Sequence, residues 1–338
     1  MSQATGVERL GYTSTGEPVE RCIIQAEGIR VGLLTFGATI QSLHVPSQPY
    51  SLVLGYPSLE GYLTNPACLG AVIGRFANRI QGAQALISGE RYTFDPNQSG
   101  RHCLHGGREG FHLKPWTLCE HDERQVRLCL TSPAGDMGFP GELSVEALYE
   151  VSPHQLKLTL SATTDAPTLC NLTCHPYFNL TGAESLEDHH LQVYADHLLE
   201  VDPELIPTGR ILPIHKTLFD LRTPRPLVDR GQALSIDHHF ITRGPDKLKS
   251  LASLEAGALS MSISSTSPGL QVYTGEGLSG ASVEGQRFAP FSGVALEPQL
   301  WPDAPNHPHF PSALLTPGAR YENVITFGFR RSSEPSSS

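Results

Sequence analysis

Apolar and polar residues alternate with a period of two along much of this chain. Gln125-Val126-Arg127-Leu128-Cys129-Leu130-Thr131 and Gln155-Leu156-Lys157-Leu158-Thr159-Leu160-Ser161 are the clearest runs. Successive side chains of a strand point to opposite faces, so this period predicts strands with one face buried. The same reading marks 23–26, 31–36, 39–45, 143–151, 191–194, 259–264, 270–274 and 324–329 as strands. Only short helical turns are predicted, for example over 58–62. Asp95-Pro96-Asn97, Ala134-Gly135-Asp136, Phe139-Pro140-Gly141, Asp202-Pro203 and Thr316-Pro317-Gly318 punctuate the strands as turns. Strands so closely spaced predict an all-β sandwich or barrel and not βαβ units. No fixed repeat, heptad run or Gly/Ser-rich linker interrupts residues 10–330, so one domain over 1–331 is expected. The Ser-rich segment 332–338 cannot bury enough surface to order itself and is expected to be a disordered tail.

Composition narrows the function more than the fold. Across 338 residues, 39% hydrophobic and 17% charged content fits a packed core, and 32 Gly with 27 Pro fit a turn-rich β protein. A formal net charge of -10 argues against nucleic acid, whose binding rests on Lys and Arg neutralising phosphates. A neutral small molecule suits this balance better. The seven cysteines are odd in number, contain no C-x-x-C and sit mostly among apolar residues, as reduced core thiols do. A reducing, cytoplasmic setting is therefore expected. Residues 1–10 do not read as a signal peptide, and no run approaches the roughly 18 apolar residues that a membrane helix needs.

Four segments place titratable residues beside Gly, Pro or aromatic residues, as pocket-lining loops do. Gly74-Arg75-Phe76-Ala77-Asn78-Arg79-Ile80 offers adjacent hydrogen-bond donors for a polyhydroxyl ligand, although spacing alone favours an exposed turn Arg with a capping Asn. Leu104-His105-Gly106-Gly107 sets a His before two glycines, which permit close backbone approach to a ligand or make a plain turn. Asn171-Leu172-Thr173-Cys174-His175-Pro176-Tyr177-Phe178-Asn179-Leu180 carries a His in an apolar stretch, which on its own reads as a core His. In Gly293-Val294-Ala295-Leu296-Glu297-Pro298-Gln299-Leu300, a buried strand raises the basicity of Glu297, whereas a strand end leaves it in solvent.

Together these segments carry a resemblance to the aldose 1-epimerase (galactose mutarotase) family. G-R-x-A-N-R-I, L-H-G-G-x-x-G-F, N-L-T-x-H-x-Y-F-N-L and L-E-P-Q occur in family order, within a match running from Phe36-Gly37-Ala38 to Tyr321. The resemblance implies a large antiparallel β-sandwich, the galactose mutarotase-like supersandwich, with an open sugar cleft and neither a metal nor an organic cofactor. It implies Glu297 as base and His175 as acid, with His105 assisting at the sugar, and Asn78, Arg79 and Asp237 as sugar-binding groups. A monomer acting on a free small sugar, with no nucleic-acid or membrane partner, goes with it. The chain departs from the family pattern at Cys174 and Pro176, and at His239 in Asp237-His238-His239-Phe240, where Asn is usual.

Changing anomer requires a proton to leave the anomeric hydroxyl as another reaches the ring oxygen, so that the ring opens and recloses on the other face. A partly buried carboxylate and a histidine suit those two tasks. Tyr177 and Trp301 are further candidates, as covers for an apolar sugar face or as core residues. Three other readings stand beside this one: a glycoside hydrolase pairing Glu297 with Asp237 or Asp303, a phosphosugar epimerase, and a sugar-binding module without chemistry. The pairs His189-His190, His238-His239 and His307-Pro308-His309 lack accompanying ligands at metal spacing and are expected to be surface or supporting residues.

Overall fold

In a computed structural model, which describes residues 6–244, 247–278, 280–281 and 287–331, the alternating runs assemble into one large sheet. The tail at 332–338 lies outside the described residues. The sheet's nine strands are, in spatial order, Thr117–His121, Gln125–Ser132, Leu143–Ser152, Gln155–Thr164, Tyr321–Arg331, Leu259–Ser265, Lys249–Ala256, His189–Val193 and Arg225–Pro226. Every pairing in it is antiparallel. Leu143–Ser152 buries every second residue, as its sequence period demands. The predicted helical turn is a single α-helix, Leu59–Thr64.

Two further sheets pack with it. Gly6–Tyr12, Pro18–Ala26, Ile29–Leu34 and Thr39–His44 form an N-terminal meander, and six strands form the sheet that builds the site. The order of those six is Tyr177–Phe178, Val294–Gln299, Gly269–Tyr273, Asp237–Thr242, Ala195–Val201 and Pro207–Pro213. Leu158 and Phe327 of the large sheet, Leu270 and Leu296 of the six-stranded sheet, and Val31 of the meander all belong to one apolar core. The expected all-β sandwich is thus what the chain forms.

The register of the six-stranded sheet decides what faces the site. His239, Gln271 and Glu297 stand in one cross-strand row, and Asp237, Tyr273, Ala295 and Tyr177 in the row beside it. Residues two apart on a strand share a face, so both rows lie on one side of the sheet. The intervening Phe240, Leu270, Val272 and Leu296 face the core. One face is apolar because it packs, and the other is polar because it lines a cavity.

Two expectations need correction. Cys119 and Cys129 are not free thiols: they form a disulfide between neighbouring strands, with Cα atoms 6.3 Å apart, while the other five cysteines are buried and free. The hairpin register creates that adjacency, which a count of cysteines does not reveal. Ala195–Val201 and Asp237–Thr242 were not among the expected strands, and Ala195–Val201 loses its two-residue period through register shifts against both neighbours.

Candidate active site

Glu297 sits inside Val294–Gln299, a strand paired on both sides and buried at all six positions. Its side chain is 2% exposed. His175 comes to the same place between two short ladders, Thr173–Cys174 on Val72–Ile73 and Tyr177–Phe178 on the Glu297 strand. Its backbone continues the first ladder, donating to the Ala71 carbonyl at 2.9 Å and accepting from the Gly70 N–H at 3.0 Å.

Side chains of the N-L-T segment fasten these pieces together. Thr173 Oγ1 donates to the Pro298 carbonyl at 2.8 Å. Asn171 accepts from the Leu300 N–H at 2.9 Å and donates to the Ala77 carbonyl at 3.3 Å, tying the segment before Asn78 to the end of the Glu297 strand. The outcome is a contact of 3.4 Å between His175 Nε2 and Glu297 Oε1.

The opposite wall is built from the first two motifs. Arg79–Ile80 pairs with Cys103–Leu104, and both Asn78 and His105 adopt left-handed backbone conformations with φ of 63° and 52°. The Asn78 N–H donates to His105 Nδ1 at 3.2 Å, which leaves the proton of a neutral imidazole on Nε2. Gly106 follows at φ +83°, where a Cβ would lie 2.0 Å from the Gly74 carbonyl oxygen, so only glycine fits.

Arg79 reaches from this wall to the sheet. Its Nε donates to Gln98 Oε1 at 3.1 Å, its Nη1 to Asn78 Oδ1 at 3.3 Å, and its Nη2 lies 3.4 Å from Asp237 Oδ2. Asp237 Oδ1 accepts from Gln271 Nε2 at 2.5 Å. An open cavity of about 270 Å³ results, lined by Asn78, Arg79, His105, His175, Asp237 and Glu297 together with Cys68, Leu104, Tyr177 and Tyr273. All six residues picked from the sequence therefore meet in one place.

Burial sets the protonation of the pair. It pushes the Glu297 carboxyl well above the usual carboxylate range, with the charge on Asp237 adding to the rise and Arg79 opposing it. It lowers His175 to about 4, partly offset by a hydrogen bond to the His175 backbone, while His112 adds to the lowering. His105 is also driven well below its ordinary value, by burial first and then by His175, His112 and Arg79. Burial thus opposes both the carboxylate form of Glu297 and the imidazolium form of His175, at the two ends of one 3.4 Å contact. Glu297 Oε2 has no hydrogen-bond partner in good geometry, and His175 Nδ1 has none beyond its own backbone. Buried groups left open in this way at a cavity wall are suited to a polar ligand.

Other candidates fall elsewhere. Trp301 does not line the cavity but packs against Phe310 with ring centroids 4.8 Å apart. Asp303 is fully buried outside it, accepting from the Gln81 N–H at 2.9 Å and Asn306 Nδ2 at 2.7 Å. His189 turns inward to accept from the Leu180 N–H at 2.8 Å, His238 stacks on Phe219, and His307 on Phe310. Among the described residues, no three His, Cys, Asp or Glu side chains converge as a metal site. Gln271, Tyr273 and Cys68 are lining or supporting residues that the sequence reading did not single out. The alternation of Leu270, Gln271, Val272 and Tyr273 is the one signal for Gln271 and Tyr273, and it reads equally well as a strand with a solvent face.

Comparison with known proteins agrees with this geometry. A sequence profile described as aldose 1-epimerase matches residues 21–328. Galactose mutarotase of Bos taurus is 37% identical over 323 residues, covering 92% of this chain and 94% of its own. Aldose 1-epimerase of Escherichia coli (strain K12) is 36% identical over 320 residues, covering 89% and 92%. The crystal structure of the GalM/aldose epimerase homologue from C. elegans superposes with a TM-score of 0.88 at 30% identity, covering 93% of this chain and 99% of that one. The match thus spans the Asn78–Arg79, His105, His175 and Glu297 segments in one alignment, and the chain belongs to the aldose 1-epimerase family.

Proposed function

We propose that this protein is an aldose mutarotase, an isomerase interconverting the α and β anomers of free aldohexoses such as galactose and glucose. The observation that carries the reading is the 3.4 Å contact of His175 with Glu297 inside a cavity shared with Arg79, Asn78, His105 and Asp237. The anomeric oxygen and the ring oxygen are bonded to the same carbon, so the groups that exchange protons with them must lie close together. Glu297 takes the proton of the anomeric hydroxyl while His175 gives one to the ring oxygen, and the ring bond breaks. The pair passes from carboxylate and imidazolium to carboxylic acid and neutral imidazole without changing its total of one proton. After the aldehyde carbon has rotated, the same transfers run backwards and close the ring on its other face.

Burial disfavours the charged form of each member, and the direct contact is a route for a proton between them. His105 Nε2–H, Asn78 and Arg79 offer donors to sugar oxygens, and Asp237 offers an acceptor to hydroxyls. The lining holds one permanent cation, Arg79, against two carboxylates, which suits a neutral sugar better than a phosphorylated one. The paired carboxylates of a hydrolase find less support, because Asp303 is outside the cavity and Asp237 is engaged by Arg79 and Gln271.

No helix among the described residues is long and apolar enough to cross a membrane. The five buried free thiols fit a cytoplasmic setting, which would hold Cys119 and Cys129 reduced in place of their disulfide, and a monomer, testable by light scattering, completes the reading. Polarimetry of freshly dissolved α-galactose and α-glucose tests the activity. Wild type should speed relaxation to the same end point, and Glu297→Gln should lose nearly all of that acceleration. Absence of acceleration on any free aldose by the folded wild type would overturn the assignment.

A further inference from the structure

His239 is a buried titratable group that the proposed reaction does not use. It is 1% exposed and stands directly across the strand pair from Gln271, which in turn stands across from Glu297. Its ring lies over Gly269, where a Cβ would come within 2.0 Å of His239 Nε2, so the absence of a side chain at 269 provides the seat. Both His239 ring nitrogens and Gln271 Oε1 are buried without a partner in good hydrogen-bond geometry. A cavity of about 10 Å³ is bordered by His239, Gln271, Asp237, Asn78 and Arg79, so these side chains share one wall beneath the sugar site.

The amide of Gln271 has two ends with opposite character. Its Nε2 donates to Asp237 Oδ1, which turns the Oε1 end away from the carboxylate. A neutral imidazole supplies one N–H, the donor that Oε1 lacks. Burial holds His239 far down, at about 3, and Gln271 is the group that pulls it back up, which fits a neutral ring facing that amide.

We propose that His239 is a positioning residue for aldose binding: it fixes the Gln271 amide so that Nε2 is held against Asp237 and the Asp237 carboxylate keeps its place in the cavity. This rests on the mutarotase reading for its substrate, but not for its chemistry. His239 acts through Gln271 and touches no reacting atom.

The test is a cycle of His239→Phe, Gln271→Leu and the double variant, with His239→Asn as the conservative replacement and Gly269→Ala to displace the ring without altering it. His239→Phe should raise KM for the preferred aldose about tenfold, the size of one hydrogen bond to a charged group, with kcat little changed. It should add nothing in the Gln271→Leu background. His239→Asn should restore most of the affinity, and Gly269→Ala should behave like His239→Phe. Long-range proton–nitrogen spectra of wild type should show His239 as one neutral tautomer whose protonated nitrogen shifts in Gln271→Leu. Wild-type KM in folded His239→Phe, losses that multiply in the double variant, or a ring indifferent to Gln271→Leu would each overturn the proposal. Because the spectra need no turnover, they decide whether His239 holds Gln271 even if wild type accelerates no aldose, a failure that would count against the mutarotase reading and the substrate named here but not against the contact.

Discussion

Two arginines four residues apart in one motif meet opposite fates. Arg75 is 2% exposed and its guanidinium is saturated: Nε donates to Ser132 Oγ at 2.9 Å, Nη1 to the Pro140 and Gly141 carbonyls at 3.0 and 2.9 Å, and Nη2 to the Ser132 and Pro133 carbonyls at 2.8 and 2.7 Å. Burial lowers it to about 10, leaving it a cation at neutral pH. Arg79 is nearly as buried but holds its partners at 3.1–3.4 Å, in a cavity it shares with a Glu297 carboxylate oxygen that has no partner in good geometry. The first cluster uses all its donors on Ser132 Oγ and four backbone carbonyls and so fixes the loop from Ser132 to Gly141. The second leaves buried polar atoms open toward a cavity, and a protein tolerates that where a ligand is to complete the set.

That contrast can be broken from either side. Glu297→Gln should lower the rate at saturating sugar by about 10²–10⁴-fold, the range of a positioned proton carrier, while leaving the urea midpoint unchanged or raised. Arg75→Leu should do the reverse. It strands several buried carbonyls, which is worth about 3–5 kcal/mol of unfolding free energy, and its folded fraction should keep near-normal KM. A loss of turnover in Arg75→Leu exceeding its loss of folded protein would erase the distinction.

Acid should act on the unsaturated side and on its supporting histidines. His175, His112 and His189 are all lowered by burial to about 4. A histidine whose folded value lies below its unfolded one favours the native state while neutral. That contribution is complete above about pH 6.5 and disappears as pH falls toward 4, at up to roughly 3 kcal/mol for each ring. Urea midpoints at pH 7 and pH 4.5 measure it, and His189→Asn should shrink the difference. A midpoint that rises on acidification would contradict the burial assigned to these rings. The smallest effect expected is that of Asp237→Asn, which should raise KM about tenfold with a much smaller change in kcat. An equal loss in kcat would move Asp237 from binding into the chemistry.

The two main sheets also differ in how much of them the sequence discloses. In the nine-stranded sheet the solvent face is wet and the inner face dry, so the two-residue period survives from Gln125 to Ser132 and from Leu143 to Thr164 and marks strands unaided. The six-stranded sheet buries His239, Gln271 and Glu297 on its site face, so Asp237–Thr242 shows two exposed-looking histidines and no alternation. Polar residues there face a cavity, a destination that hydropathy does not distinguish from bulk water. His105, His175 and Glu297 were legible only as members of motifs. Physical reading of each alone left a turn, a core histidine and a strand end open. Gln271 and the clasp made by Asn171 depend on cross-strand register, which no local pattern encodes.

The place of Tyr321–Arg331 has a consequence for biosynthesis. This strand follows all the others of the large sheet in the chain, yet it lies between Gln155–Thr164 and Leu259–Ser265, in the middle of the sheet. Until the ribosome has released it, those two strands each present an unpaired edge and the halves of the sheet have nothing to join them. A nascent chain stopped shortly before residue 321 is therefore not a trimmed enzyme but two open sheet edges, prone to pair with other copies. Insertion of this one strand is what turns two open half-sheets into a continuous sheet.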